Sequence, residues 1–209
     1  MTAVRTDAPK IDLRRERREL YGATREPAFV DVPPLRCLMI AGTGAPGGPV
    51  FQAAIGALYS MAYTLKFALK RAGRADWTVA PIEGLWRIQD TGALVGADDP
   101  ATIWWRLLIP QPDVVTEEDV DAARTEAARR RELPALADLR FDLFAEGMSA
   151  QILHVGPYDQ EPATIQRLHA FIEHWGFRPH LDHHEIYLGD PNRSAPEKLR
   201  TILRQPVRH

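Results

Sequence analysis

His183-His184-Glu185-Ile186-Tyr187-Leu188-Gly189 is the stretch on which the fold turns. Its β-branched and aromatic residues run into a Gly189-Asp190-Pro191-Asn192 turn, a pattern that predicts a strand. Strand alternation sets His183, Glu185 and Tyr187 on one face and His184, Ile186 and Leu188 on the other. If the second face packs against the protein interior, the first presents a carboxylate beside a phenol. For Glu185 taken alone, the plainer reading is a side chain pointing to water, because Glu is rarely buried. A carboxylate aimed into a cavity is costly and calls for a use.

The surroundings of this strand supply a reason. Upstream, Pro162 opens a helix with Ile165, Leu168, Phe171, Ile172 and Trp175 at helical spacing, stopped by Gly176. Before it, a strand over 149–155 ends at Gly156-Pro157-Tyr158. Downstream, a last strand spans 200–206. The same order occurs earlier in the chain. A strand over 35–41 enters a glycine-rich turn, and Pro49 opens a helix running to Arg71. A strand over 81–88 then carries Glu83 and Trp86, and another follows over 102–109, in which Trp104 and Trp105 point to opposite faces. Both final strands close on Gln-Pro, at Gln111-Pro112 and Gln205-Pro206.

The chain therefore reads as a duplicated βαββ module. The expected fold is α+β: an antiparallel sheet with pseudo-two-fold symmetry and two long helices packed on one side. One domain spans 1–209, with an N-terminal arm over 1–34, repeat one over 35–112, a connector helix and strand over 113–147, and repeat two over 148–209. The connector comprises a surface helix over 116–132, capped by Thr116, and a strand over 139–145. Pairing the repeats would bring Glu83, Trp86, Glu185 and Tyr187 to a central cleft. Gly84 marks a bulge or a close approach.

Composition excludes several classes of function. The chain has 209 residues, 45% hydrophobic and 26% charged, with a net charge of −2, which calls for no nucleic acid. The charged run from Lys10 to Glu19 mixes both signs and reads as a solvated helix or arm. The single cysteine, Cys37, lies in an apolar run, which rules out an internal disulfide and suits a reducing cytoplasm. No signal peptide is expected from the polar residues 1–10. The apolar stretch 50–69 approaches membrane-span length, but Lys66 interrupts it and its bulky residues fall at helical spacing, so a core helix is expected. The turn over 42–49 lacks the Lys-Ser/Thr of a phosphate loop. His183 and His184 point to opposite faces, so they cannot share one ion, and no metal or cofactor is expected.

The ordered landmarks Val30-Asp31-Val32-Pro33, Tyr63-Thr64-Leu65-Lys66-Phe67, Glu83-Gly84-Leu85-Trp86, His154-Val155-Gly156-Pro157-Tyr158, His184-Glu185-Ile186-Tyr187 and Leu203-Arg204-Gln205-Pro206-Val207 carry a resemblance. Over residues 10 to 207 the chain resembles the GyrI-like small-molecule-binding family, which includes effector-binding domains of multidrug-sensing transcription activators. The resemblance implies a duplicated βαββ fold whose aromatic cavity takes bulky, lipophilic and often cationic ligands against a buried Glu, at the position of Glu185. Some stand-alone members are hydrolases that open the cyclopropane of alkylating natural products. Arg87 stands where a second aromatic usually follows Trp86. The first 34 residues are too few for a helix-turn-helix and a dimerisation helix, which implies a cytoplasmic, stand-alone protein, a monomer or weak dimer without DNA contact.

In this reading Glu185 is the counter-charge and Glu83 a second acid. Tyr187, Trp86, Tyr158, Trp104 and Tyr63 are the aromatic walls. As a hydrolase the protein would use Glu185 as general base on a water.

Overall fold

A computed structural model describes residues 10–88, 103–130 and 132–209. The loop expected over 90–100 and the start of the strand expected at Thr102 lie outside the described residues. The elements in chain order are α1 (Leu13–Glu16), α2 (Arg18–Tyr21), β1 (Ala28–Val32), β2 (Leu35–Thr43), α3 (Pro49–Arg71), β3 (Glu83–Ile88), β4 (Ile103–Pro110), α4 (Glu117–Arg130), β5 (Arg140–Phe144), β6 (Gly147–Val155), α5 (Glu161–His174), β7 (Arg178–Pro179), β8 (His183–Tyr187) and β9 (Arg200–Arg208).

α3 forms where the sequence favours it. Pro49, with its fixed φ, fills the first turn. Ala54, Ala57, Leu58, Met61, Ala62, Leu65 and Leu69 give one buried face. Gly73, at a φ of 68°, takes the left-handed conformation that closes the helix, and the Arg74 N–H returns to the Leu69 carbonyl at 3.0 Å. Lys66 is buried but paired: its ammonium meets Asp76 at 2.7 Å and also donates to the Trp77 carbonyl. Among the described residues, no helix is long and apolar enough to cross a membrane. α4 is capped by Thr116, whose Oγ accepts from the Asp119 N–H at 3.3 Å while the Asp119 carboxylate accepts from the Thr116 N–H at 3.0 Å. Its buried Val120, Ala123 and Ala127 join the same core cluster as α3.

The sheet is antiparallel and curled, in the order β1-β6-β9-β8-β3-β4-β2-β5, with β7 added against β9. β3 and β8, one from each half of the chain, meet at its centre. Alternation gives each strand two loyalties. Leu38, Ile40, Trp105, Leu107 and Ile109 pack with α3, and Ala150, Ile152, Leu203 and Val207 pack with α5. The opposite face carries Cys37, Met39, Leu85, Leu108, Ile186 and Ile202. Both long helices thus lie on one face of the sheet.

The N-terminal segment departs from the solvated arm expected of it. Leu13, Leu20 and Tyr21 are buried, and Leu20 and Tyr21 cover the face of the sheet that the long helices leave open. Mixed charges keep the outer side of this segment in water, while Ile11, Leu13, Leu20 and Tyr21 anchor it.

Candidate functional site

A cavity of about 1160 Å³ lies on the helix-bearing face, between α3, α5 and the central β3–β8 seam. α3 contributes Phe51, Ile55, Tyr59 and Tyr63, a row at helical spacing. The far wall is Tyr158, Glu161 and Ile165. The floor is Trp86 from β3 with His183, Glu185 and Tyr187 from β8, and the turn over 188–193 forms part of the rim. The rings of Tyr59, Tyr63 and Phe67 stack in sequence, with centroids 6.3 and 6.1 Å apart, and lead outward to an exposed Phe67.

The floor is a chain of hydrogen bonds. The Trp86 indole N–H donates to the Tyr187 hydroxyl at 3.1 Å, and that hydroxyl donates to Glu185 Oε2 at 2.6 Å. Phe51 stacks on Trp86 at 5.6 Å, and Tyr158 meets Tyr187 edge-on at 5.8 Å. Burial pushes the Glu185 carboxyl above the usual carboxylate range, with the Tyr187 hydrogen bond and the His184 charge pulling partly against it. Burial also pushes the Tyr187 phenol up, reinforced by Glu185, so it stays a donor.

Glu161 is the residue that sequence reasoning missed. It opens α5, is 5% exposed, lines the cavity, and its Oε1 has no hydrogen-bond partner among the described residues. Burial and the neighbouring Glu185 both raise its pKa. With Glu185 as a neighbour in the same cavity, Glu161 holds its proton more readily than it would alone. An available signal was an acid at the first turn of the Pro162 helix, directly after Gly156-Pro157-Tyr158.

Of the residues singled out in the sequence, Tyr187, Trp86, Tyr158 and Tyr63 line the cavity with Glu185. Glu83 and Trp104 do not. In the β3–β8 ladder Gly84 lies opposite Glu185, and Glu83 lies opposite Ile186. Glu83 therefore shares the other face of the sheet. There it accepts from the Tyr21 hydroxyl at 3.0 Å and meets His184 Nε2 at 3.1 Å. Trp104 is likewise on that face, packed with the cluster around Leu108, with Arg87 at 4.2 Å over its ring. Arg87 also pairs with Asp182 at 3.6 Å, so its charge is engaged.

Behind the floor, Glu83 belongs to a buried ion network. His184 Nδ1 meets Glu146 at 3.0 Å, and Arg204 donates to Glu146 at 3.3 Å, to Gln151 at 2.8 Å and to the Leu20 carbonyl at 2.6 Å. Burial alone would lower the His184 pKa, but Glu146 and Glu83, one at each ring nitrogen, bring it up to about 9. His184 is thus an imidazolium that donates to both carboxylates. His183, the next residue, faces the cavity; burial brings it down to about 3, and it is neutral. Among the described residues no cluster of His, Cys, Asp and Glu has metal-binding geometry.

A family model for a GyrI-like small molecule binding domain matches residues 25–208. The chain belongs to the GyrI-like small-molecule-binding family. An uncharacterized conserved protein from Listeria innocua is similar at 35% identity, with a TM-score of 0.89, covering 95% of this chain and 100% of that one. A structure described as a hydrolase from Listeria innocua is similar at 36% identity, with a TM-score of 0.85, covering 96% of this chain and 100% of that one. The C-terminal domain of EcmrR shares the fold at 12% identity, with a TM-score of 0.54, covering 88% and 97%. Among curated proteins no match was found.

Proposed function

We propose that this protein binds bulky aromatic or lipophilic molecules, cations foremost, in the cavity over the β3–β8 seam. The observation that carries this reading is a pair of cavity-lining carboxyl groups, the partly buried Glu185 and the buried Glu161, set among Phe51, Tyr59, Trp86, Tyr158 and Tyr187. Aromatic faces attract a soft cation with little demand on shape. A carboxylate in a low-dielectric cavity adds charge attraction that a small, well-hydrated ion cannot exploit without losing its water. Titration with ethidium, a planar aromatic cation, should quench tryptophan fluorescence saturably in the micromolar range. Quenching that does not saturate would sink the reading.

A second reading, a hydrolase acting on electrophilic cyclopropane compounds, draws on the Glu185–Tyr187 hydrogen bond and on the Listeria innocua hydrolase that is 36% identical. Glu185 would act as general base. The oxygen of a water would bond to the ring carbon as the ring C–C bond breaks, its electron pair passing into the conjugated carbonyl. The water proton would go to Glu185 and then to the substrate oxygen. Product formation from a cyclopropane-bearing alkylator tests this. Turnover that survives Glu185→Gln would remove the general-base role.

We also read the chain as a duplicated βαββ module in one domain, with β2, α3, β3 and β4 matched to β6, α5, β8 and β9. The central order β6-β9-β8-β3-β4-β2 supports it, because it runs through matching strands from either end. A cytoplasmic monomer or weak dimer without DNA contact completes the reading, and the single buried thiol of Cys37 suits a reducing compartment.

A further inference from the structure

A row of buried polar side chains runs from the carboxyl pair along α5, at the opposite end of β8 from the 188–193 turn on the rim. His183 is 2% exposed, and neither ring nitrogen has a hydrogen-bond partner among the described residues. Its Nε2 stands 3.7 Å from Glu185 Oε1. Gln205 uses its amide N–H groups on the His180 and Pro206 carbonyls, at 2.9 and 3.3 Å, and its Oε1 is left without a partner. Thr201 Oγ1, Glu161 Oε1 and His169 Nε2 are buried and lack a well-formed hydrogen bond in the same way, although Thr201 faces Glu161 and Gln205 faces both His183 and His169 closely enough to shift their protonation.

These residues form one line. Glu185 pairs with Leu203 and Tyr187 with Thr201, so alternation along β9 sets Thr201, Leu203 and Gln205 beneath α5, with Gln205 beside His183. Glu161 and His169 lie two turns apart on α5, spanning the same distance above them. The row begins at Glu185 and Glu161 and ends at His169, which is partly exposed. Buried polar groups are seldom left without a good hydrogen bond, and these face one another without forming one, so the line calls for bridging partners. Ordered water is the natural one in a polar site of this kind. Burial holds both His183 and His169 toward the neutral form, in which an imidazole donates at one nitrogen and accepts at the other.

We propose that this row holds ordered water and joins the carboxyl pair to solvent at His169, so that water and protons reach Glu185 while a ligand fills the mouth. The inference rests on the reading that ligands occupy the cavity. It gives His183, Gln205 and His169 a positioning role distinct from that of the aromatic walls.

The test uses the full chain. A crystal structure with ethidium bound should show waters within hydrogen-bond distance of the His183 and His169 ring nitrogens, and a dry row overturns the proposal. Stopped-flow ethidium binding in weakly buffered phenol red then reads proton release. His169→Leu should slow that release about tenfold and leave the amplitude of tryptophan quenching unchanged, and His169→Asn should restore the rate. Release from His169→Leu at the wild-type rate overturns the path. If ethidium fails to bind at all, the binding reading falls, and the water row is still decided by a ligand-free crystal.

Discussion

Gly84 and Glu185 face one another across the central β3–β8 ladder, and the absence of a side chain at Gly84 leaves room for the Trp86 indole and the Tyr187 hydroxyl. A Cβ at Gly84 would lie 2.8 Å from Trp86 Nε1 and 3.2 Å from the Tyr187 oxygen. Gly84→Ala should therefore displace the indole and weaken its bond to Tyr187, at a cost of about 1–3 kcal/mol in stability. Ethidium affinity should fall with it. Urea denaturation and fluorescence titration check both, and an unchanged affinity would mean that the floor is not in contact with ligand.

Glu185→Gln and Glu161→Gln keep the shape of the cavity and remove its charge. At about pH 9, above both raised carboxyl values, each should weaken ethidium by roughly tenfold or more, about 1.4 kcal/mol, while a neutral dye of the same shape loses little. Calorimetric titration of both ligands decides this. Equal losses for the two dyes would show that neither acid acts as a counter-charge.

Both carboxyls have raised pKa values, by burial for Glu185 and by burial and Glu185 for Glu161. A cation binds the ionised forms, so its affinity should climb as pH rises through these elevated values. The folding sign is opposite. A carboxyl raised in the folded state contributes stability that is present below its ordinary pKa and lost as pH rises through the raised one. The melting-temperature gain from ethidium should be larger at about pH 9 than at about pH 6. Thermal scans at both values check it, and equal gains would contradict the shifts.

The ion network on the other face governs stability. Glu146→Gln leaves the His184 imidazolium and the Arg204 guanidinium short of a counter-charge in a buried site, and should cost about 3–5 kcal/mol. The His184 pKa is raised to about 9, so its contribution is fully present below the ordinary histidine value and is lost as pH rises through about 9. Chemical denaturation across alkaline pH should show that loss in the wild type and much less of it in Glu146→Gln.

The alternation in His183–Tyr187 was legible without coordinates, because one strand fixes its own faces. The same holds for α3, whose proline start, apolar stripe and glycine stop are local signals. Register between strands is not local. Glu83 and Glu185 match by position in the repeated pattern, but the ladder offsets them by one residue, and a one-residue offset moves a side chain through the sheet. Trp104 presents the same difficulty: its strand showed two tryptophans on opposite faces, with nothing to say which face met the helices. Glu161 is, by sequence, only an acid beside the proline that opens a helix, and its depth next to Glu185 is what distinguishes it. Leu20 and Tyr21 directly follow the charged run, and their burial was not legible because it depends on a sheet face built from distant residues.

The β3–β8 seam is shared property of two environments. One surface of it is the floor of the aromatic cavity, and the other is seated in the His184–Glu83–Glu146–Arg204 network. A change in the strands that widens or tilts the floor also shifts the partners of a buried imidazolium. Diversification of ligand range in such a scaffold is thereby steered away from the seam and onto α3 and the 188–193 turn. Those segments border the cavity without touching the network, so residues there can vary while the charged underside stays still.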